Sequence, residues 1–468
     1  MPLVAGVDCG TQSTKVVVVD ADSGATIATG HAPHQVSGGE GRSECDPDEW
    51  WRALGDALDA TGRAADVHAV SVAGQQHGLV LLDEQGHPVR PALLWNDTRS
   101  AGEAATLVDA LGGAGWWAAE IGSVPLAAFT VSKWGWVRAH EPAHAGATRA
   151  VRLPHDFLTE RLTGVAVSDR GDASGTGWWS AQAGEYSVDV LERVDLDPGL
   201  LPRVAKPDEV VGQVVEAIGG MRKAIPVGPG TGDNMGAALG LGVPPGTPVV
   251  SLGTSGTAYA VMTEPAADPT GTVAGFADAT GRFLPLACTL NATLAVDRVA
   301  NWLHLQRDDV AARTGVTVLP WFDGERTPNR PDATAVFSGL RHSTTPQELL
   351  LATYEGVVAG LLDALDLVAE QGSGVDPAVP IVLVGGGAKG ATWRNVVLRL
   401  SGRALKVPRR EDMVALGAAA QAAAVLAGEH PSAVAARWAE GADVDVYEPV
   451  DRDDEARARV SALRAATP

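Results

Sequence analysis

Val7 to Lys15, VDCGTQSTK, and Ser251 to Thr257, SLGTSGT, are the stretches whose reading decides how this chain folds. In each, a run of β-branched and aliphatic residues breaks into Gly, Thr and Ser, and the first resumes as the apolar run Val16 to Val19. That is the pattern of a β-hairpin with a phosphate-sized turn. Gly10 and Gly253 let backbone N–H groups come close to an anion, while Thr11, Ser13, Thr254 and Ser255 add hydroxyl donors. Only the first copy has an acid at the strand end: Asp8 stands where the second has Ser251. Two similar turns with one carboxylate predict a duplicated fold gripping one Mg-nucleotide. Asp8 would then hold Mg²⁺, directly or through water, beside the phosphates. An Asp here also serves a turn by accepting its N–H bonds; the second turn and a third Gly cluster favour the metal reading.

A chain of 468 residues exceeds what one hydrophobic core organises, and the spacing of the two turns agrees with two domains. We place the boundary within LGLGVPPGTPVV, near residue 244, giving domains 1–244 and 245–468. Hydrophobic residues at 45% against 20% charged describe a folded, enzyme-like protein rather than a disordered one. The formal charge of -21 disfavours nucleic acid as a partner. It also repels ATP at long range, but fields beyond roughly 8 Å are largely screened, so local N–H nests and bound Mg²⁺ must dominate nucleotide binding. Cys9, Cys45 and Cys288 have no zinc or disulfide spacing, which points to a reducing cytoplasm. Asp8 interrupts the first apolar run too early for a signal peptide. The Ala-rich stretch Ala415 to Ala427 is too short to span a bilayer and contains Gln421, so it reads as a close-packed helix, and no membrane role is expected.

Strand-like runs at Val4 to Val7, Val16 to Val19 and Ala69 to Val72 alternate with helical patterns such as Asp48 to Ala60, which predicts α/β layering. Leu79 to Leu82 followed by DEQGHPV reads as a hairpin turning at Asp83 to Gly86. Helices are expected within Glu103 to His140, interrupted at Gly113 and Pro125, and at Asp156 to Leu162, Thr345 to Glu370 and Thr392 to Leu400. The run Ile381 to Val384 ends in GGGAKG, as a buried strand feeding a tight turn would. Asp451 to Ala466 mixes both charge signs and is expected to be a solvated, peripheral helix.

Gly385, Gly386 and Gly387 would let backbone lie flat against a purine or ribose, although a sharp strand-to-helix connection also explains them. The chain has no GxxxxGK[ST], and no GxGxxG in a βαβ unit, so the P-loop and Rossmann readings fail. Asp233, in GPGTGDNMGAALG, starts a helix. It either caps that helix or accepts the proton of a sugar hydroxyl attacking the γ-phosphorus. In SVAGQQHGLVLLD, Gln75, Gln76 and His77 form a polar cluster after a strand, with groups that both donate and accept and so suit the reading of hydroxyls. Trp95, Asn96, Asp97 and Arg99 either line the same cleft or form a salt-bridged loop. His140 to His144 matches HExxH, which needs one continuous helix; Pro142 and Gly146 break it, and zinc is rejected.

Together these segments resemble the FGGY carbohydrate kinases, over nearly the whole chain to about residue 430. VDCGTQSTK and SLGTSGT are similar to the family's two phosphate motifs, and GGGAK, ending in Ala388 and Lys389, to its adenosine motif. TVSKWGWVR, with Lys133 and Trp136, and AVFSGLRHSTTPQELLLATYE resemble its two signatures. QQHG, LLWNDTRS, DRGDASGTG around Asp172, GPGTGDNMGAALG and LPWFDGERTPNRPDAT are closest to the branch that phosphorylates D-xylulose, in its actinobacterial form. The resemblance implies two actin-like, ribonuclease-H-like α/β domains flanking a cleft, sugar mainly on the first and nucleotide mainly on the second. It implies that the Gly10-Thr11-Gln12-Ser13 and Gly253-Thr254-Ser255 turns and Gly385 to Ala388 bind ATP with Mg²⁺. Gln76, His77 and Asn234 would contact the sugar, with Asp233 as base, and a homodimer is a family expectation. Asp97, Arg99 and Asp172 receive no role.

Three alternatives remain open at this point. A kinase for another ketose, sugar acid or polyol keeps the same mechanism. An actin-like ATPase would share the turns and turn over ATP without sugar, but the QQHG and GDN segments argue against it. A non-catalytic sugar sensor has no need of both Asp8 and Asp233.

Overall fold

The computed structural model describes residues 2–467, and its two seven-stranded sheets repeat one plan. The first is built from β1 (Leu3–Cys9), β2 (Ser13–Asp20), β3 (Thr26–Pro33), β4 (Val67–Gly74), β5 (Gly212–Gln213), β6 (Pro226–Val227) and β7 (Thr231–Gly232). Its order is β5-β6-β4-β1-β2-β3, with β7 also on β4. The second contains β8 (Pro248–Leu252), β9 (Gly256–Ala260), β10 (Ala274–Ala277), β11 (Phe283–Thr289), β12 (Ile381–Val384), β13 (Leu405–Pro408) and β14 (Val444–Tyr447), in the order β10-β11-β9-β8-β12-β13-β14. In each, a tight antiparallel hairpin, β1-β2 or β8-β9, carries a phosphate-type turn and then gains a parallel neighbour, β4 or β12. The duplicated α/β fold read from the two turns is therefore present.

Among the described residues there are fifteen helices, α1 (Pro47–Ala60), α2 (Ala101–Ala110), α3 (Gly113–Glu120), α4 (Thr130–His140), α5 (Pro142–Ala147), α6 (Pro154–Thr163), α7 (Arg170–Ala173), α8 (Val188–Arg193) and α9 (Asp233–Leu241) in the first half, then α10 (Thr293–Leu303), α11 (Pro346–Ala369), α12 (Ala391–Ser401), α13 (Met413–Ala427), α14 (Pro431–Glu440) and α15 (Asp454–Ala466), and α2 to α5 pack on one another rather than on the two large sheets. Val16 to Val19 of β2 are all at most 1% exposed. Val16 and Val18 join the core beneath α1, whereas Val17 and Val19 join the one that includes α13. A strand covered on both faces is uniformly apolar rather than alternating. Asp46 starts α1 by accepting the Asp48 N–H at 3.0 Å, and Pro47 occupies its first turn.

α13 comes late in the chain yet packs against β1, β4 and α9. The contact is backbone to backbone: a β-carbon on Gly417 would fall 1.9 Å from the Gly236 carbonyl oxygen, and one on Gly6 would fall 1.9 Å from that of Ala415. Small residues are what allow this approach, so the Ala-rich composition follows from packing. The one amide inside it is satisfied, because Gln421 accepts the Ser71 hydroxyl at 3.0 Å and donates to the Gly230 carbonyl at 3.0 Å. The chain passes from the first sheet to the second between Gly232 and Pro248, and α13 and α14 return to the first.

Three local readings can be compared with this structure. The turn at Asp83 to Gly86 forms and its arms pair, with the Asp83 N–H donating to the His87 carbonyl and the Val89 N–H to the Leu81 carbonyl, both at 2.9 Å, while Val80–Leu82 also pairs with Ala150–Arg152. The C-terminal helix α15 is not simply solvated. Its Ala456 and Val460 are buried, and Arg457 and Arg464 pair with Asp363 of α11. In HEPAH, α4 stops at His140 and α5 starts at Pro142, which places the two imidazoles on different helices. Among the described residues no helix is long and apolar enough to cross a membrane.

Candidate active site

Asp233 is the first residue of α9, and Gly232 before it makes no side-chain capping bond. The Asp233 carboxylate serves the first turn of α9 through one oxygen and keeps the other for a second partner. Its Oδ1 accepts the backbone N–H of Asn234 at 2.7 Å and the Asn234 side-chain amide at 2.9 Å. That amide also donates to Gln76 Oε1 at 2.8 Å, tying α9 to the segment after β4. Burial, then the charges of Asp8 and Asp172, push the Asp233 carboxyl up to about 7, against the two Asn234 bonds. A carboxyl poised there is suited to take a proton near neutrality.

His77 has φ of 66°, a left-handed conformation. Its Nδ1 lies 2.7 Å from the Gly175 carbonyl; a carbonyl only accepts, so this nitrogen carries the proton and Nε2 is left as an acceptor. The ring stacks on Phe129 at 5.1 Å and tilts against Phe276 at 5.5 Å. Burial, with Lys133 and Arg326 nearby, drives its pKa down to about 3, so the imidazole is neutral. Lys133 is fully buried and donates to the carbonyls of Ala127 and Ala128, which fixes the loop bearing Phe129. Burial lowers its pKa to about 7.

Thr11, Gln76, His77, Asp233, Asn234 and Ser255 line one cavity of about 200 Å³, together with Trp95 and Arg326. Residues from both hairpin turns and both polar clusters thus converge. Gly385, Gly386 and Ala388 line a second cavity of about 350 Å³, with Ser251 and Asp412. Asp8 belongs to neither lining, but its charge is felt at Asp233, while Lys15 and Asp412 act on Asp8 itself. Burial pushes Asp8 up to about 6, with Lys15 opposing and Asp412 adding. Gly10 accepts from Gln75 Nε2 at 3.2 Å and closes its turn onto Ser13 at 3.0 Å; Gly253 and Thr254 accept from the start of α10, and Gln12 is exposed. Gly387 packs inward, since a β-carbon there would lie 2.7 Å from Leu252 Cβ. These residues shape the two turns rather than line a cavity.

Asp8 supplies one carboxylate at the first phosphate turn, with Lys15 and Asp412 acting on it among the described residues. No three His, Cys, Asp or Glu side chains converge as a metal cage among those residues. That donor set fits Mg²⁺, which keeps much of its water and takes its remaining oxygens from substrate phosphates.

Asp97 and Arg99 form the salt-bridged loop. Asp97 accepts the Ser43 N–H at 2.9 Å, and Arg99 pairs with Asp97 at 2.7 Å and Glu44 at 2.6 Å while covering Trp136. Arg326 had no assigned role in the sequence, because no spacing marks a single Arg in DGERTPNRP. The structure sets it opposite His77 from the second half of the chain. Its backbone is fixed by Glu325, which accepts the N–H groups of Leu290 and Arg326 at 2.6 and 2.8 Å. Its guanidinium makes no ion pair among the described residues.

With this geometry in place, the comparisons are specific. Residues 3–240 match the N-terminal domain of the FGGY family of carbohydrate kinases, and residues 249–426 match its C-terminal domain. A xylulose kinase of Streptomyces coelicolor is 58% identical over 464 residues, covering 99% of this chain and 96% of the relative. That of Escherichia coli is 35% identical across 88% of each. The crystal structure of a xylulose kinase from Bifidobacterium adolescentis superposes with a TM-score of 0.86 at 36% identity, covering 99% of both chains.

Proposed function

The chain belongs to the FGGY family of carbohydrate kinases, and from that premise we propose that it phosphorylates D-xylulose to D-xylulose 5-phosphate with Asp233 as general base. It is a carbohydrate kinase and uses ATP. The observation that carries the site assignment is the cavity in which Asp233, Asn234, Gln76 and His77 meet Thr11 and Ser255 of the two phosphate turns.

In this reading Gln76, Asn234 and the neutral His77 Nε2 hold the ketose hydroxyls. The Asp233 oxygen not engaged by Asn234 accepts the proton as the terminal hydroxyl oxygen bonds to the γ-phosphorus, and ADP leaves with the electrons of the broken P–O bond. Gly10 to Ser13 and Gly253 to Ser255 place donors around the phosphates, and Gly385 to Ala388 seat the adenosine. Asp8 would hold Mg²⁺, directly or through water; when bound, the ion neutralises charge on the phosphates. Arg326 contacts the sugar from the nucleotide side, so that ketose binding draws the two halves together and excludes water.

The division follows the same logic, with residues 1–244 mainly for sugar and 245–468 mainly for nucleotide, supported by the placement of Gln76 and His77 in the first and Gly385 to Ala388 in the second. A cytoplasmic location is supported by three buried, unpaired cysteines. A homodimer is proposed on the family resemblance alone.

The test is ADP release from MgATP with D-xylulose, L-xylulose, D-ribulose, L-ribulose, D-gluconate, glycerol or no sugar, with Asp233→Ala as control. D-xylulose is expected to stimulate most, and the variant to lose the response. Stronger stimulation by another compound replaces the substrate, and equal release without sugar refutes the kinase assignment.

A further inference from the structure

Behind the polar lining of the sugar cavity lies a second cluster of ionisable groups, closed to solvent. His155 of α6 and Asp172 of α7 are both 0% exposed, and His155 Nδ1 lies 2.7 Å from Asp172 Oδ2. On the other side of the ring, Asp156 Oδ1 is 3.3 Å and Asp169 Oδ1 4.0 Å from Nε2. Burial opposes charge on the imidazole, but the carboxylates of Asp156, Asp172 and Asp169 outweigh it and push His155 up to about 9. A buried ion cluster is a weak source of stability, because desolvation offsets its Coulomb gain. Its place in the chain supplies another reason for it.

α7 stands between the residues that would read the sugar and β7, the strand that leads into the base. The Asp172 carbonyl accepts the Gly175 N–H at 2.9 Å, and the Gly175 carbonyl accepts His77 Nδ1–H at 2.7 Å. A β-carbon on Gly175 would fall 2.5 Å from the His77 ring, so this approach requires glycine. Burial pushes the Asp172 carboxyl up; the His155 bond is the first influence that opposes this, and the His77 backbone amide the last. His77 carries φ of 66°, which a residue with a β-carbon keeps only when its surroundings hold it. At the other end of α7, Asp169 accepts the Thr231 hydroxyl at 2.9 Å, two residues before Asp233.

We propose that Asp172, oriented by His155, is a positioning residue for the sugar-reading imidazole: the pair locks the α7 turn that holds His77 in its strained backbone conformation and in the tautomer that leaves Nε2 open to the cleft. The inference rests on the D-xylulose kinase reading above. Neither residue lines the sugar cavity; His155 acts through Asp172, and Asp172 acts through His77 beside the charge it exerts on the Asp233 carboxyl.

The experiment uses the full chain and measures kcat/KM for D-xylulose, KM for ATP and the unfolding temperature. Asp172→Asn and His155→Leu are made in the wild-type background and together with His77→Ala. Asp172→Asn is expected to lower kcat/KM for D-xylulose roughly tenfold, within the coupling range of residues in one network, with KM for ATP unchanged. In the His77→Ala background the same substitution should add almost nothing once rates are compared on the alkaline plateau of each pH profile, where Asp233 is ionised with or without the Asp172 charge. His155→Leu should follow the same pattern; if it does not fold, Asp172→Asn carries the test. An equal loss in both backgrounds, an equal rise in KM for ATP, or a lower unfolding temperature with unchanged kcat/KM would overturn the proposal. Wild-type protein that D-xylulose fails to stimulate would overturn the substrate reading and this one with it, which separates the two failures.

Discussion

Asn234 donates twice to one oxygen of Asp233, from its backbone N–H at 2.7 Å and from its side-chain amide at 2.9 Å. Both bonds fall on Oδ1, which orients the carboxylate and leaves Oδ2 for a hydroxyl proton. Asp233→Ala should therefore fold normally yet lower kcat by roughly 10² to 10⁴, the range for a positioned acid or base. Steady-state ADP release with saturating D-xylulose measures this. Turnover equal to wild type would end the assignment of the base.

The same carboxylate should weaken the fold at high pH. Its pKa is about 7 in the folded chain against 3.8 for a free side chain, so between those values the folded state binds more protons than the unfolded one. Stability then falls as pH rises through that window, and the whole penalty is present above it. Asp233→Asn keeps Oδ1 for Asn234 but removes the charge. It should unfold at a higher temperature than wild type at pH 8, a gain of about 1–3 kcal/mol, and a smaller gain should appear at pH 5.5. Equal gains at both values would show that charge is not the cause.

His77 is neutral, stacked on Phe129 and fixed through Nδ1, so its remaining function is to accept a hydrogen bond in the cavity. His77→Ala should raise KM for D-xylulose roughly tenfold, the worth of about 1.4 kcal/mol, while KM for ATP stays within a factor of two. Comparable rises in both constants would place His77 outside the sugar contacts.

How far the sequence reached depends on whether a feature was local. The β1-β2 and β8-β9 hairpins were legible because their turns need Gly, Thr and Ser at fixed places. Asp233 was legible because it stands beside glycines at a helix start. Arg326 was not, because its place in the cavity depends on Glu325 meeting Leu290, 35 residues earlier in the chain. Asp172 and His155 sit on different helices, and only the fold brings them to 2.7 Å. The return of α13 to the first sheet depends on backbone contact at Gly236 and Gly417, a relationship between distant glycines that no periodicity reveals. The C-terminal helix misled because its charges, which look solvated in sequence, pair with Asp363 across the interface.

Gly385 and Gly386 after β12 both line the 350 Å³ cavity, but a β-carbon would meet backbone at the first and open space at the second. Gly385 has φ of 88°, and a β-carbon there would lie 2.6 Å from the Leu252 carbonyl oxygen. Gly386 lines the 350 Å³ cavity, and a β-carbon on it would meet nothing within 4 Å. Gly385→Ala should destabilise the protein by about 1–3 kcal/mol through backbone strain. Gly386→Ala should leave the unfolding temperature unchanged yet raise KM for ATP about fivefold, because its methyl group enters the space assigned to adenosine, a loss of about 1 kcal/mol. Thermal unfolding and ATP saturation curves on both variants check the pair. If Gly386→Ala binds ATP as wild type does, the nucleotide does not lie over this turn, and the glycines serve the strand-to-helix connection alone.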